Sequence, residues 1–492
     1  MIKKIPKDVT TILKKLEKAG YEAYIVGGCV RDLIMDKMPK DWDVTSNANP
    51  NEIQKLFPDS FCENEFCTVG IKVGKENEKE VVEVTTYRIE GKYTDKRRPD
   101  KVIIAKTLEE DLNRRDFTMN AVAIALENKI VDPFGGQNDI KNKIIRAVGD
   151  PVTRFDEDAL RMMRAVRFHA ELGFEIEKKT LSAIKKNAKH LKHIALERIK
   201  DELVKMILSD NPASTRGNAT STRGGPANGI DMLHKAGLLD YIIPELKKGV
   251  GMAQNRHHIH TIYKHGILSL KFCPSKKLEV RLASLFHDIA KPQTKRGHGE
   301  LATFYNHDHV GARVAEKILK RLRFSNEIIK KVKLLVDSHM FYYNPDEVGE
   351  SSVRKLIQKV GLENMKDLID LRIADRLGSG TPKAKPYKLR HLEYVIEKVS
   401  RHAVSVKMLK IDGNDLMKDL SMKPGPKIGA ILEVLLAEVI EDAEKNKKAH
   451  LLKRAEELEK EDIKKLQRLA RVKIEKRKEE DDEEIKKKHW IK

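Results

Sequence analysis

The sequence predicts an α+β protein: a mixed-sheet head over residues 1–150, followed by an all-helical remainder. Three observations predict it. The N-terminal part alternates short β-branched runs with glycine turns and helical stretches, as a sheet flanked by helices requires. From residue 151 onward, apolar residues recur at helical spacing instead. The composition (40% hydrophobic, 35% charged, 5% aromatic) fits helical cores under a polar surface and disfavours a β-sandwich. A chain of 492 residues has room for about three domains.

Residues 1–20 read as a helix, with Ile12, Leu13 and Leu16 on one face and Gly20 ending it. Residues 24–26 read as a strand, Gly27-Gly28 as a turn, 29–35 as a short amphipathic segment and 41–45 as a second strand. Side chains two apart on a strand share a face, so Asp41 and Asp43 are expected to point the same way. Paired carboxylates repel unless a cation lies between them, and hard oxygen ligands suit Mg²⁺. Gly27 and Gly28 let backbone N–H groups approach a phosphate closely, and Arg31 adds positive charge. Residues 69–73 and 81–88 are expected strands joined by a charged turn, and 102–105 another. Between them lies GKYTDKRRPD, residues 91–100, too polar to pack.

Thr107 and Glu110 fit a capping box that opens a helix running into RRDFTMNA. Arg114 and Arg115 carry the planar forks that suit a triphosphate, and Asp116 could accept from a ribose hydroxyl. An apolar strand is expected over 121–126, and the glycines of DPFGG, residues 132–136, read as a turn. Residues 156–172 read as one long helix, placing Asp158 and Arg161 on one face. A carboxylate accepts from the exocyclic amine of cytosine and adenine, and an arginine donates to the adjoining ring nitrogen. Uracil and guanine invert both groups, so two side chains can select C and A without a nucleic-acid template. Helices continue over 175–209. Residues 211–229 read as a low-complexity surface insertion, with helix resuming at Ile230.

The order GG-x-V-R-D…D-x-D, RRDF, DPFGG and EDALR resembles the signature of polymerase-β-type nucleotidyltransferases. In particular it is similar to the family of CCA-adding tRNA nucleotidyltransferases and bacterial poly(A) polymerases. The resemblance implies a nucleotidyltransferase head, a helical neck over 151–256, and catalysis by Asp41 and Asp43 holding Mg²⁺. It implies that CTP and ATP are bound by Gly28, Arg31, Arg114, Arg115, Asp116, Asn120, Asp158, Arg161, Arg164 and Arg167. Asp95 and Arg98 are the closest match to the working residues of a flexible loop that reshapes the nucleotide site.

A second constellation, H…HD…H…H…D, runs through helical segments of residues 257–380 and resembles the HD phosphohydrolase domain. On that resemblance His265, His287, Asp288 and Asp375 are first ligands of a divalent metal such as Ni²⁺, Mn²⁺ or Mg²⁺, with His307 and His339 enlarging the site. His258 and His265 are expected on one helix. A helical region over 381–460 follows, in which the Pro-Gly-Pro turn at 424–426 opens a helix suited to contacting phosphate. Residues 461–492 read as a charged tail, either a solvated helix or disordered, with RNA contact as the alternative.

A formal charge of +21 favours a polyanionic partner, and with the resemblance this makes tRNA the expected substrate. No membrane span or secretory leader is expected, and four sparse cysteines without zinc-like spacing fit a cytoplasmic protein. Poly(A) polymerase shares the head motifs. An HD phosphohydrolase whose head only binds RNA is the reading from another class.

Overall fold

A computed structural model describes residues 4–64, 68–74, 80–90, 102–210, 224–254, 259–401 and 406–491. Asp95, Arg98, His258 and most of the expected insertion lie outside the described residues. The chain forms two compact units, Met1–His339 with Asp370–Thr381, and Met340–Ile369 with Pro382–Lys492. The body expected over 257–380 is therefore divided, because residues 340–369 cluster with the C-terminal segments.

In the first unit, α1 (Lys7–Lys18) buries Val9, Ile12, Leu13 and Leu16, the face its spacing predicts. The strands are β1 (Ala23–Val26), β2 (Asp43–Ser46), β3 (Ser60–Asn64), β4 (Thr68–Val73), β5 (Glu80–Thr86), β6 (Arg88–Glu90), β7 (Val102–Ile104), β8 (Ala123–Ile124), β9 (Ile130–Val131), β10 (Ile144–Ile145) and β11 (Glu175–Ile176). Among the described residues a seven-stranded sheet runs β3-β4-β5-β2-β1-β8-β9. It is mixed: β2 pairs antiparallel with β1 and parallel with β5. The helices beside it are α2 (Gly28–Ile34), α3 (Pro50–Leu56), α4 (Leu108–Asn113) and α5 (Gly136–Asn142). The Thr107–Glu110 capping box forms as expected, and Asn49 with Glu52 makes a second one.

Three local expectations change. Asp41 lies in a bend ahead of β2, which begins at Asp43. The strand expected over 121–126 shrinks to Ala123–Ile124, because Thr118–Asn120 forms a 3-10 turn. Side-chain bonds stabilise that turn: Asp116 accepts from the Phe117 amide at 2.9 Å and from Asn120 at 3.2 Å. The helix expected over 156–172 breaks in two, α6 (Pro151–Glu157) and α7 (Leu160–Leu172). Asp158 between them is extended, and its carboxylate accepts from the Leu160 amide at 2.9 Å, a turn that ends α6 and leads into α7.

The neck continues with α8 (Lys178–Asn187), α9 (Leu196–Leu208) and α10 (Pro226–Lys235). α10 starts four residues before the expected Ile230. Glycines 224–229 serve packing: the Gly225 amide donates to Ala170 O at 2.7 Å, and a Cβ on Gly229 would lie 2.6 Å from Met206. The helices Ile262–Phe272, Leu278–Phe286, His307–Arg321 and Asn326–Ser338 complete most of this unit.

The second unit is helical, with Glu350–Val360, Tyr387–Arg401, Pro426–Glu441, Lys448–Glu459 and Ile463–His489 as its main elements. The last of these gives the expected charged tail the helical form, but not a wholly solvated one. It packs on Pro426–Glu441 and Tyr387–Arg401, with Leu466 and Ile485 fully buried. Charged composition hid two well-placed core residues.

Candidate active sites

Asp43 opens β2 at the centre of the sheet, and Asp41 precedes it in an exposed bend. Burial raises the Asp43 carboxyl above its ordinary range; Asp41 raises it further, and Arg115 opposes both. Gly27, with φ +88°, leaves the space these groups use: a Cβ there would lie 3.0 Å from Arg115 Nη1 and 3.3 Å from Asp43 Oδ2. A partly buried carboxylate crowded by a second one is an oxygen donor set that fits Mg²⁺.

Arg114 and Arg115 follow α4 at its C-terminal end, where Asp111 gathers them. Asp111 has no exposed surface; it pairs with Arg114 at 2.8 Å and Arg115 at 3.6 Å. It also accepts from Thr45 Oγ1 at 3.2 Å and the Arg88 amide at 3.3 Å. Asp111 belongs to none of the motifs, although its i,i+3 and i,i+4 spacing to the two arginines is a usable signal. The Nε of Arg115 is buried without a hydrogen bond among the described residues, so the side chain retains a donor for a ligand.

Asp116, Asn120, Arg31 and Arg164 form one connected group. Arg31 donates to Asn120 Oδ1 at 2.9 Å, Asn120 to Asp116 at 3.2 Å, and Arg164 to Asp116 Oδ2 at 2.7 Å. Burial would raise the Asp116 carboxyl, but Arg164 and these bonds hold it below the ordinary range. A head motif and a neck helix thus meet in a single ion pair.

Asp158 and Arg161 do not share a helix face, because the chain breaks between α6 and α7. Asp158 Oδ2 instead takes Arg198 of α9 at 2.9 Å. Arg161 pairs with Glu157 and donates to Arg154 O and Arg114 O, each at 3.1 Å. Arg167 is held between Glu171 and Glu202, each at 2.6 Å. Glu157 stands in the EDALR motif with no role assigned to it, and Arg198 and Glu202 lie outside the motifs. The last two lie on α9, a separate helix whose position the motif does not encode.

The structure brings all six residues of the second constellation together. His265 Nε2 is 2.9 Å from His287 Nε2 and 3.2 Å from both Asp288 Oδ2 and Asp375 Oδ1. On the other side of the same carboxylate, His307 and His339 Nε2 lie 3.3 and 3.9 Å from Asp288 Oδ1. Three rings are oriented from behind, with Nδ1 within 2.9 Å of the carbonyls of Ser284, Phe304 and Val336. That arrangement turns each Nε2 lone pair inward. The Nε2 atoms of His307 and His339 are buried without hydrogen bonds among the described residues. Inward-facing imidazoles around a shared carboxylate fit a divalent transition metal.

With no cation between them, the two carboxylates favour protonated imidazole, and a bound metal would take the place of that proton. Burial lowers His287, yet Asp288 and Asp375 outweigh it and push the ring up to about 10. Burial, aided by His287, takes His339 down to about 3. Lys291, likewise without an assigned role, is 6% exposed, with Nζ 2.7 Å from Asp288 Oδ2 and from Gln254 Oε1. Its i,i+3 relation to Asp288 was legible in the sequence HDIAK.

A mixed-sheet head carrying a carboxylate pair beside buried arginines, continued by a helical neck, defines a polymerase-β-type nucleotidyltransferase. Residues 23–146 match the family described as "Poly A polymerase head domain", and 173–216 "Probable RNA and SrmB- binding site of polymerase A". Residues 301–455 match "tRNA nucleotidyltransferase domain 2 putative". The chain is 31% identical to a CCA-adding enzyme of Lactococcus lactis over 91% of its length and 97% of the relative's. With a CCA-adding enzyme of Lactobacillus helveticus it shares 53% identity over 40% of this chain and 48% of that one. The crystal structure of the Bacillus stearothermophilus CCA-adding enzyme in complex with CTP is 27% identical, with a TM-score of 0.58, covering 92% of this chain and 98% of that one.

The chain belongs to the CCA-adding enzyme family. Membership implies a divalent metal for nucleotidyl transfer, generally Mg²⁺. Among the described residues no helix is long and apolar enough to cross a membrane.

Proposed function

We propose that this protein adds C, C and A to the 3′ end of tRNA from CTP and ATP, without a nucleic-acid template. One observation carries the reading: Asp43, Arg115 and Gly27 meet at one point of the head, and Arg164 joins the neck to Asp116 beside it. Asp41 and Asp43 would hold Mg²⁺, which when bound activates the attacking 3′-hydroxyl and neutralises the leaving pyrophosphate. Arg31, Arg114 and Arg115, with the Gly28 backbone, take the triphosphate, and Asp116 and Asn120 take the ribose side. Although they do not lie on one helix face, Asp158 would accept from the amine of cytosine or adenine and Arg161 would donate to the ring nitrogen. Arg198 and Glu157 fix these two selectors. Arg164 and Arg167 would support the nucleotide from the neck, and the loop bearing Asp95 and Arg98 would adapt the site between bases. The place of work is the cytoplasm, where tRNA is processed.

The six-residue histidine–aspartate cluster supports a second activity, metal-dependent phosphohydrolysis of a phosphate ester such as a 2′,3′-cyclic phosphate end. His265, His287, Asp288 and Asp375 would hold a divalent ion such as Ni²⁺, Mn²⁺ or Mg²⁺, and His307 and His339 face the other oxygen of Asp288. A bound ion there supplies hydroxide near neutral pH.

tRNA lacking its terminal CCA, incubated with labelled CTP and ATP separately and together, tests the first activity. Failure to incorporate C would leave poly(A) polymerase as the reading. Asp41→Asn is expected to abolish addition and spare phosphatase activity, and His287→Ala to do the reverse. Addition that survives Asp41→Asn refutes the metal assignment.

A further inference from the structure

Phe168, on α7, is 4% exposed and surrounded by cations. The guanidinium carbons of Arg167, Arg31 and Arg164 lie 4.0, 5.3 and 5.5 Å from its ring centroid. The ring also meets Phe117 of RRDF edge-on, with centroids 5.8 Å apart and an interplanar angle of 89°. Three like charges around one apolar side chain oppose one another, so something must hold them. Carboxylates do part of this: Glu171 and Glu202 pair with Arg167, Asp32 with Arg31, and Asp116 with Arg164.

The aromatic ring supplies what a carboxylate cannot. Its faces are electron-rich, so guanidinium groups within about 6 Å are attracted without being neutralised. A further carboxylate in that place would add to the pairing these arginines already have and leave less charge for a triphosphate. A leucine would be equally apolar and would offer no attraction. Arg31 comes from helix α2 of the head and Arg164 from the neck, and the chain Arg31–Asn120–Asp116–Arg164 closes around the ring.

We infer that Phe168 is a positioning residue for nucleotide binding, an aromatic platform that aims Arg31 and Arg164 at the bound CTP or ATP. The inference rests on the reading above in which those arginines take the nucleotide. It assigns no base contact to Phe168, so both nucleotides should depend on it alike.

Steady-state addition to tRNA lacking CCA, with CTP and ATP varied in turn, provides the test. Phe168→Leu is expected to raise KM for both nucleotides about tenfold. The CTP-to-ATP preference and the KM for tRNA should stay within twofold. Phe168→Tyr keeps the ring and should stay close to the unmodified protein. Should leucine unfold the neck, Phe168→Met removes the ring but fills the space with an unbranched, adaptable side chain, and carries the same expectation. Unchanged nucleotide KM in the ring-less variants, or an equal rise in the tyrosine variant, overturns the platform. Failure of the unmodified protein to incorporate C strikes the proposed activity instead, so the two failures are distinguishable.

Discussion

Asp111 and Asp43 are carboxylates of one domain under opposite fields. Burial raises Asp43, and Asp41 adds to it, which suits a group that waits for a cation. Burial would raise Asp111 too, but Arg114 and Arg115 outweigh it and hold it below the ordinary range. A depressed folded-state pKa contributes stability that is full above the unfolded value, about 3.9, and is lost as pH falls through the folded one. Asp111→Asn is therefore expected to cost about 3 kcal/mol at pH 7, the scale for breaking a buried pair. Denaturant unfolding should show the gap between the two proteins narrowing below about pH 4. A gap that is constant with pH would mean that Asp111 acts by shape alone. Its helical spacing to the arginines was legible in the sequence. Its bonds to Thr45 and the Arg88 amide were not, since they join residues 66 and 23 apart.

At the scale of elements, local chemistry was readable wherever one turn decided the outcome. Thr107–Glu110 capped its helix and 7–18 buried the predicted face. The sequence misled where a side chain bonds to the nearby backbone. Asp158 looked like a residue within a helix and is a break, and the 121–126 strand yielded to the 3-10 turn at Thr118. DPFGG read as a turn, and the structure adds why glycine is needed there. Asp132 accepts from the Gly136 and Gln137 amides at 2.7 and 2.9 Å, which fixes the start of α5. A Cβ at Gly136 would lie 2.2 Å from Thr118 O, the backbone of the 3-10 turn that follows RRDF. Gly136→Ala must push α5 away from that turn. It is expected to cost about 2–3 kcal/mol in denaturant unfolding and to lower nucleotide addition with it. An alanine variant as stable as the parent would show that α5 can move freely.

For the whole molecule, the +21 charge pointed to a nucleic-acid partner, while the charge-rich composition of the last residues gave no sign of their buried contacts. Composition averages over a segment, whereas packing needs only a few apolar residues on the right face. In Ile463–His489 those include Leu466 and Ile485, both fully buried. Charged neighbours anchor the same helix: Lys488 pairs with Glu397 at 2.9 Å, and Asp482 with Lys398 at 3.3 Å. These solvent-reached pairs add little, so Leu466 and Ile485 dominate the cost of removing the helix, about 4 kcal/mol together. That is a large share of what an ordinary domain has in reserve. Ending the chain before Ile463 is expected to expose the Pro426–Glu441 and Tyr387–Arg401 faces and to make residues 382–461 the first sites of limited proteolysis. A cleavage pattern and melting profile identical to those of the full chain would show that the helix contributes nothing to the core of its unit.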